Sequence, residues 1–143
     1  MKISKVMSRS VATCSPEHTL HAVAQAMVDN DCGCLPVVDS DGRPIGILTD
    51  RDICIAACAT KNPLRAVSVV PVMNQDVHTC SVDDDLRTAV RLMREHKIRR
   101  LPVVEEDGKL AGIVSLGDLA RAAPNGAREE VARALAEICT PSG

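Results

Sequence analysis

One apolar–polar pattern runs through the chain twice. Leu20, Val23, Ala24 and Met27 fall at the i, i+3, i+4, i+7 spacing of a helix with one buried face, and Leu86, Ala89, Val90 and Met93 do the same further on. Ser15 followed by Pro16 predicts the cap and first position of the earlier helix. Ser81 with Asp84 predicts a capping box for the later one, with Asp in place of Glu. Each helix leads into an apolar "LPVV" run, and residues 35–39 and 101–105 read as short buried strands. "DSDG" and "EEDG" then predict hairpin turns in which Gly42 and Gly108 take a positive φ. The strands return over 44–48 and 110–114, and a second helix is expected from Thr49 and from Ser115. The predicted unit is strand–helix–strand–strand–helix.

The two stretches superpose without a gap from Val6 on Val72 to Ile53 on Leu119, a constant offset of 66 residues. Identical pairs include Met7/Met73, Cys14/Cys80, Gly42/Gly108, Gly46/Gly112 and Asp52/Asp118. A frame held that long marks a duplication, and two copies of one unit imply a pseudo-twofold axis. The expected organisation is a first repeat over 1–60, a connecting segment over 61–71 broken at Asn62-Pro63, a second repeat over 72–123, and a C-terminal helix within 124–143. That last helix, over 127–139, is expected to bury Val131, Leu135 and Ile138 on one stripe, against the repeats or a dimer mate.

Composition narrows the function classes. The 143 residues contain no Phe, Tyr or Trp, so the core is aliphatic and any flat ligand lies between aliphatic walls. The formal net charge of −2, without a long basic run or aromatic platforms, argues against nucleic acid as a partner. No apolar run reaches the length of a membrane span and no signal-peptide pattern opens the chain, so a cytoplasmic protein with no membrane partner is expected. Seven Cys is an odd count, against a closed disulfide framework. Neither Cys32-Gly33-Cys34 nor Cys54 with Cys58 has zinc-site spacing, so no metal is expected, and most of the thiols read as small buried apolar groups. A redox role for Cys14, Cys32, Cys34 or Cys80 is the alternative.

Candidate chemistry sits where each returning strand gives way to a helix. Thr49 and Ser115 are hydroxyls at a turn whose free N–H groups favour an anion. Asp52 and Asp118 follow three residues on, suited to accept both hydrogen bonds of a ribose cis-diol. Taken singly, such a pair is also what an ordinary helix start looks like; its repetition raises it. Arg99 and Arg100, with Arg51 beside Asp52, are candidate phosphate ligands, against the plainer reading of a solvated corner. The first repeat has Gly33 and Cys34 where the second has Arg99 and Arg100, so two such sites would differ in affinity. No Ser–His–acid order, glycine-rich phosphate loop or metal triad points to an enzyme or a catalytic cofactor.

"CGCLPVVDSDGRPIGILTDRDI" and "HKIRRLPVVEEDGKLAGIVSLGDL" resemble the two halves of a tandem CBS-domain pair, the Bateman module, over most of the chain. The resemblance implies an α+β fold with α/β-type layers: two pseudo-symmetric βαββα repeats packed through their sheets, with ligand clefts between the copies. It implies a regulatory sensor of the stand-alone type that binds AMP, ADP, ATP, NAD or S-adenosylmethionine. Such a protein forms a homodimer and signals by dimer contact or to a separate regulated protein. Carried over by residue, Asp52 and Asp118 hold ribose hydroxyls, and Thr49 and Ser115 hold phosphate or ribose oxygens. Ile47 and Ile113 flank the adenine. Each cleft also borrows residues from the other copy, Ala12 with Cys32 and Gly33 in one case and His78 with Ile98 in the other, and Arg99 falls at a phosphate-contacting position. The competing expectations are an interaction protein with empty clefts and a thiol-based redox sensor.

Overall fold

The computed structural model describes residues 1–140 and divides them into two compact units that do not follow the repeat boundaries. One unit is Val11–Val77; the other joins Met1–Ser10 to the chain from His78 onward.

The Val11–Val77 unit contains α1 (Leu20–Asp29), β1 (Cys34–Val38), β2 (Pro44–Thr49), α2 (Asp50–Ala59) and a 3-10 turn at Leu64–Ala66. β1 and β2 pair antiparallel, Leu35 opposite Leu48 and Val37 opposite Gly46. The expected first strand is reduced to a single parallel bridge, Cys14 on Val37. On the far edge Asn74 bridges Ile47, exchanging two backbone hydrogen bonds of 3.0 and 2.9 Å. Leu20, Val23, Met27, Leu35, Val37, Leu48 and Val69 close the core, with Val72 and Met73 packed against it.

The other unit contains β3 (Cys80–Ser81), α3 (Leu86–His96), β4 (Arg100–Val104), β5 (Leu110–Ser115), α4 (Leu116–Ala122) and α5 (Asn125–Ile138). β3 runs parallel to β4, and β4 antiparallel to β5. Here the edge beyond β5 is taken by Ser8, which bridges Ile113, while Ile3 and Met7 enter the core beside Met93, Leu101, Val103 and Val114.

The leading segment of each repeat therefore completes the sheet of the other. The fit is set by two glycines. A Cβ on Gly46 would lie 2.5 Å from the sulfur of Met73, and one on Gly112 would strike the backbone carbonyl of Ser8 and lie 3.0 Å from the sulfur of Met7. The connecting segment expected over 61–71 is no passive linker either. Leu20 donates to the carbonyl of Val67, Val69 donates to that of His18, and Val69 is wholly buried.

Gly42 and Gly108 have φ of +84° and +86°, as the turns require. Both first helices start later than Ser15 and Ser81 suggest. Thr19 caps α1, its hydroxyl accepting from Ala22 N at 3.2 Å, and Asp85 caps α3, accepting from Arg87 N at 3.1 Å. Ser15 N donates instead to His18 Nδ1 at 2.9 Å, and Ser81 with Asp84 closes a turn that precedes the helix. In α5 the buried positions are Ala127, Val131 and Ala134. Leu135, expected on that stripe, is 47% exposed, because the face that packs on α3 and α4 is turned away from it. Among the described residues no helix is long and apolar enough to cross a membrane.

Candidate functional site

Thr49 and Ser115 both stand at the last position of a strand with extended backbone, φ −114° and −106°, and each is the N-cap of the following helix. The Thr49 hydroxyl accepts from Asp52 N at 3.2 Å, and Asp52 Oδ2 accepts from Thr49 N at 3.0 Å. At the second corner Ser115 accepts from Asp118 N at 3.0 Å, and Asp118 Oδ2 accepts from Ser115 N at 2.9 Å. Each hydroxyl–Asp pair is a reciprocal capping box, so its first task is to satisfy two orphan N–H groups at a helix start.

A box does not exhaust these groups. The hydroxyl keeps a proton to donate, and a carboxylate has about four lone-pair directions of which the box uses one. Asp52 Oδ1 accepts no hydrogen bond among the described residues, and the side chain is half-buried. Asp118 Oδ1 is instead held by Arg121 Nη2 at 2.6 Å. The residue equivalent to Arg121 in the first repeat is Ile55, which leaves Asp52 open. The two corners, alike in their hydroxyl and Asp, are thus unequal in what those groups can still bind.

The remaining candidates divide between the units. Ala12, Cys32, Gly33, Ile47 and Arg51 share a unit with Thr49 and Asp52. Gly33 is at the corner itself: its carbonyl accepts from Asp50 N at 3.0 Å, and a Cβ there would meet the Asp50 carboxylate at 2.9 Å. Arg51 is exposed; its N–H donates to Asp50 Oδ1. His78, Ile98, Arg99, Arg100 and Ile113 lie with Ser115 and Asp118. The Arg99 carbonyl accepts from Leu116 N at 2.8 Å, tying the start of β4 to the start of α4, and both guanidiniums are exposed. His78 stacks on His96 with ring centroids 3.5 Å apart.

Two depressions border the corners. One of about 390 Å³ is lined by Asp52, Ile55, Ala56, Val67 and Val72. The other, about 620 Å³, lies between Arg99, Arg100 and Ser115 on one side and Arg128, Val131 and Leu135 of α5 on the other. Sequence reading passed over Arg128. Its signal is a second stripe on the last helix, Arg128, Ala132 and Leu135 at i, i+4, i+7, beside the buried one.

The thiols are less uniformly buried than expected. Cys14, Cys34 and Cys80 are buried, Cys32 is half-buried, and Cys54, Cys58 and Cys139 are exposed. Burial pushes the Cys14 thiol up to about 11 and the Cys80 thiol up to about 12, the latter helped by the charge of Asp84. Neither supplies thiolate near neutral pH, which removes that pair from the redox reading. Among the described residues no group of three or more His, Cys, Asp or Glu is placed to hold a metal ion.

A family model for the CBS domain matches residues 3–58 and 67–125. The chain belongs to the CBS-domain family and carries two copies of that domain. Hypoxic response protein 1 of Mycobacterium tuberculosis is 33% identical over 142 residues, covering 99% of this chain and 96% of that one. A crystal structure of hypoxic response protein I with two coordinated zinc ions superposes with a TM-score of 0.79 at 31% identity, over 87% of this chain and 100% of that one. An uncharacterized protein of Methanopyrus kandleri is 36% identical over 125 residues, and the match spans 87% of this chain but 63% of that protein's length. The crystal structure of CBSX2 in complex with AMP superposes with a TM-score of 0.73 at 27% identity, over 85% of this chain and 95% of that one.

Proposed function

We propose that this chain is a non-catalytic regulatory module that binds an adenosine-containing ligand and passes the bound state on through contacts with a second copy or a regulated partner protein. The observation that carries the reading is the half-buried, unengaged Oδ1 of Asp52, held rigidly by the capping box beside a hydroxyl that still has a proton to donate. A ribose cis-diol is a pair of donors that such an oxygen accepts, and the AMP bound to CBSX2 supports the ligand class. AMP, ADP, ATP, NAD and S-adenosylmethionine all present that diol. Thr49, Asp52, Ile47 and Arg51 are the proposed contacts in the first repeat, with Ala12, Cys32 and Gly33 near them. Ser115, Asp118, Ile113, Arg99 and Arg100 are their counterparts, with His78 and Ile98.

The test is titration calorimetry with AMP, ATP, NAD and S-adenosylmethionine on the wild type, Asp52→Asn and Asp118→Asn. Asn keeps one carbonyl oxygen for the box and puts an amide donor where the free oxygen was, so the fold survives while diol recognition does not. Loss of a hydrogen bond to a charged group weakens binding about tenfold or more, and Asp52→Asn is expected to do so for at least one ligand. If none of the four binds the wild type, the reading fails. A second reading then stands, an interaction protein whose boxes only start helices; the engagement of Asp118 by both Ser115 and Arg121 favours it at that corner.

A further inference from the structure

We propose that the depression between β4, α4 and α5, which adjoins the Ser115 corner and extends from it to α5, is a ligand site made for a phosphomonoester with a mainly hydrocarbon body. Three guanidiniums, Arg99, Arg100 and Arg128, line one pocket of about 620 Å³. Among the described residues none of the three forms an ion pair; the one side-chain bond recorded is from Arg128 Nε to the Ala123 carbonyl, at 3.3 Å. On the neighbouring α3 the arginines are matched, Arg87 with Glu130, Arg91 with Glu95 and Arg94 with Glu137. Three unmatched positive charges around one cavity call for a dianion with several acceptor oxygens, and a phosphomonoester carries both. A carboxylate offers one charge and two oxygens.

The rest of the wall chooses the body of the ligand. Among the described residues Ser115 is, apart from the arginines, the only polar side chain lining the pocket, and its oxygen already accepts from Asp118 N. Leu116, Val131 and Leu135 make the floor aliphatic, and the 47% exposure of Leu135 is apolar surface the fold leaves open. A sugar would bury hydroxyls against hydrocarbon without partners, whereas an alkyl or prenyl chain would not. Four of the ten lining residues come from α5, which begins where the matched CBS segment of residues 67–125 ends. The first repeat cannot repeat the site: Gly33, Cys34 and Asp50 stand where Arg99, Arg100 and Leu116 do, and the Asp50 carboxylate occupies the space beside Gly33. One site per chain is expected.

The nucleotide reading also uses Arg99, Arg100 and Ser115, so Arg128 and Leu135, which it does not use, separate the two. The experiment is titration of the full chain with n-octyl phosphate below its micellar concentration, with inorganic phosphate, octanoate and AMP in parallel. Octyl phosphate is expected to bind one per chain, at least tenfold tighter than phosphate or octanoate. Arg128→Ala is expected to weaken it roughly tenfold, as loss of a charge-assisted contact does, and Leu135→Asp, on an exposed position, to weaken it as well. The proposal is overturned if octyl phosphate does not bind the wild type or binds Arg128→Ala and Leu135→Asp as tightly. It is overturned equally if only AMP binds and does so with the Arg128 dependence, since the pocket would then be the nucleotide site. A loss of AMP binding in Asp52→Asn alone bears on the nucleotide reading and not on this one.

Discussion

Replacing Gly46 and Gly112 separately by Ala tests whether the exchanged segments are held by close packing. At Gly46 the new methyl would come within 2.5 Å of the Met73 sulfur, 3.0 Å of its Cγ and 3.3 Å of its Cβ. Met73 is the far end of a flexible side chain and only half-buried, so it can swing aside, and the cost is that of moderate overpacking, about 1–2 kcal/mol. At Gly112 the nearest atom is the carbonyl oxygen of Ser8, which accepts from Ile113 N at 3.0 Å while Ser8 N donates to the Ile113 carbonyl at 2.9 Å. The backbone must move, both bonds are strained, and the cost rises to about 3 kcal/mol, the upper end of overpacking. The assay is urea unfolding followed by far-ultraviolet circular dichroism, since the chain has no Trp or Tyr to report by fluorescence. Adding Met73→Ala to Gly46→Ala is expected to recover most of the overpacking cost, whereas adding Met7→Ala to Gly112→Ala is not, because the Ser8 carbonyl remains. Equal costs at the two glycines, or full rescue by Met7→Ala, would refute the reasoning.

The raised thiols give a pH prediction. Cys14 and Cys80 have folded values of about 11 and about 12 against 9.0 when exposed, so the folded state holds their protons more tightly. Their contribution to stability is complete below pH 9 and is lost as pH rises through 11 to 12, on the order of 1–2 kcal/mol per thiol after allowance for solvent screening. Chemical unfolding between pH 8 and 11 of the wild type and Cys80→Ala checks it: the variant loses less stability over that interval. At pH 8 an aromatic disulfide reagent is expected to titrate Cys54, Cys58 and Cys139 quickly and to leave Cys14 and Cys80 until the chain unfolds. Lys97 ends α3 with φ +53°, a left-handed conformation that disfavours a side chain, so Lys97→Gly is expected to raise the unfolding free energy by about 0.5–1 kcal/mol; a loss of stability in the same urea assay would contradict this.

The duplication carried most of what was legible. The hairpins, the positive φ at Gly42 and Gly108, and the helix starts at Thr49 and Ser115 all follow from local rules that the second copy restates. The first helix starts escaped because Ser15-Pro16 satisfies the capping preferences as well as Thr19 does. What decides between them is tertiary: Leu20 N and the His18 carbonyl are bonded to residues 67 and 69, nearly fifty positions away in sequence. The exchange of leading segments was hidden by the symmetry itself. Met7 and Met73 are equivalent, as are Gly112 and Gly46, so the pattern fits either pairing and only the folded chain selects one. The left-handed residues Asp31 and Lys97, at equivalent positions after α1 and α3, gave no glycine signal. At the candidate site the sequence located the hydroxyl–Asp pairs but not their first occupation, which depends on distances of a few tenths of an ångström.

The exchanged segments also decide where this chain can be cut. A fragment taken at the sequence repeat, residues 1–60, would lose Val69, Met73 and the Asn74 bridge that close its sheet, and would carry Ile3 and Met7 as apolar side chains with no core to enter. Residues 11–77 hold every buried group that their own core uses. The unit that was copied and the unit that folds are therefore offset along the chain by about ten residues. A single copy of the repeat would lack that edge and would have to find it on another molecule, whereas here the same chain supplies it.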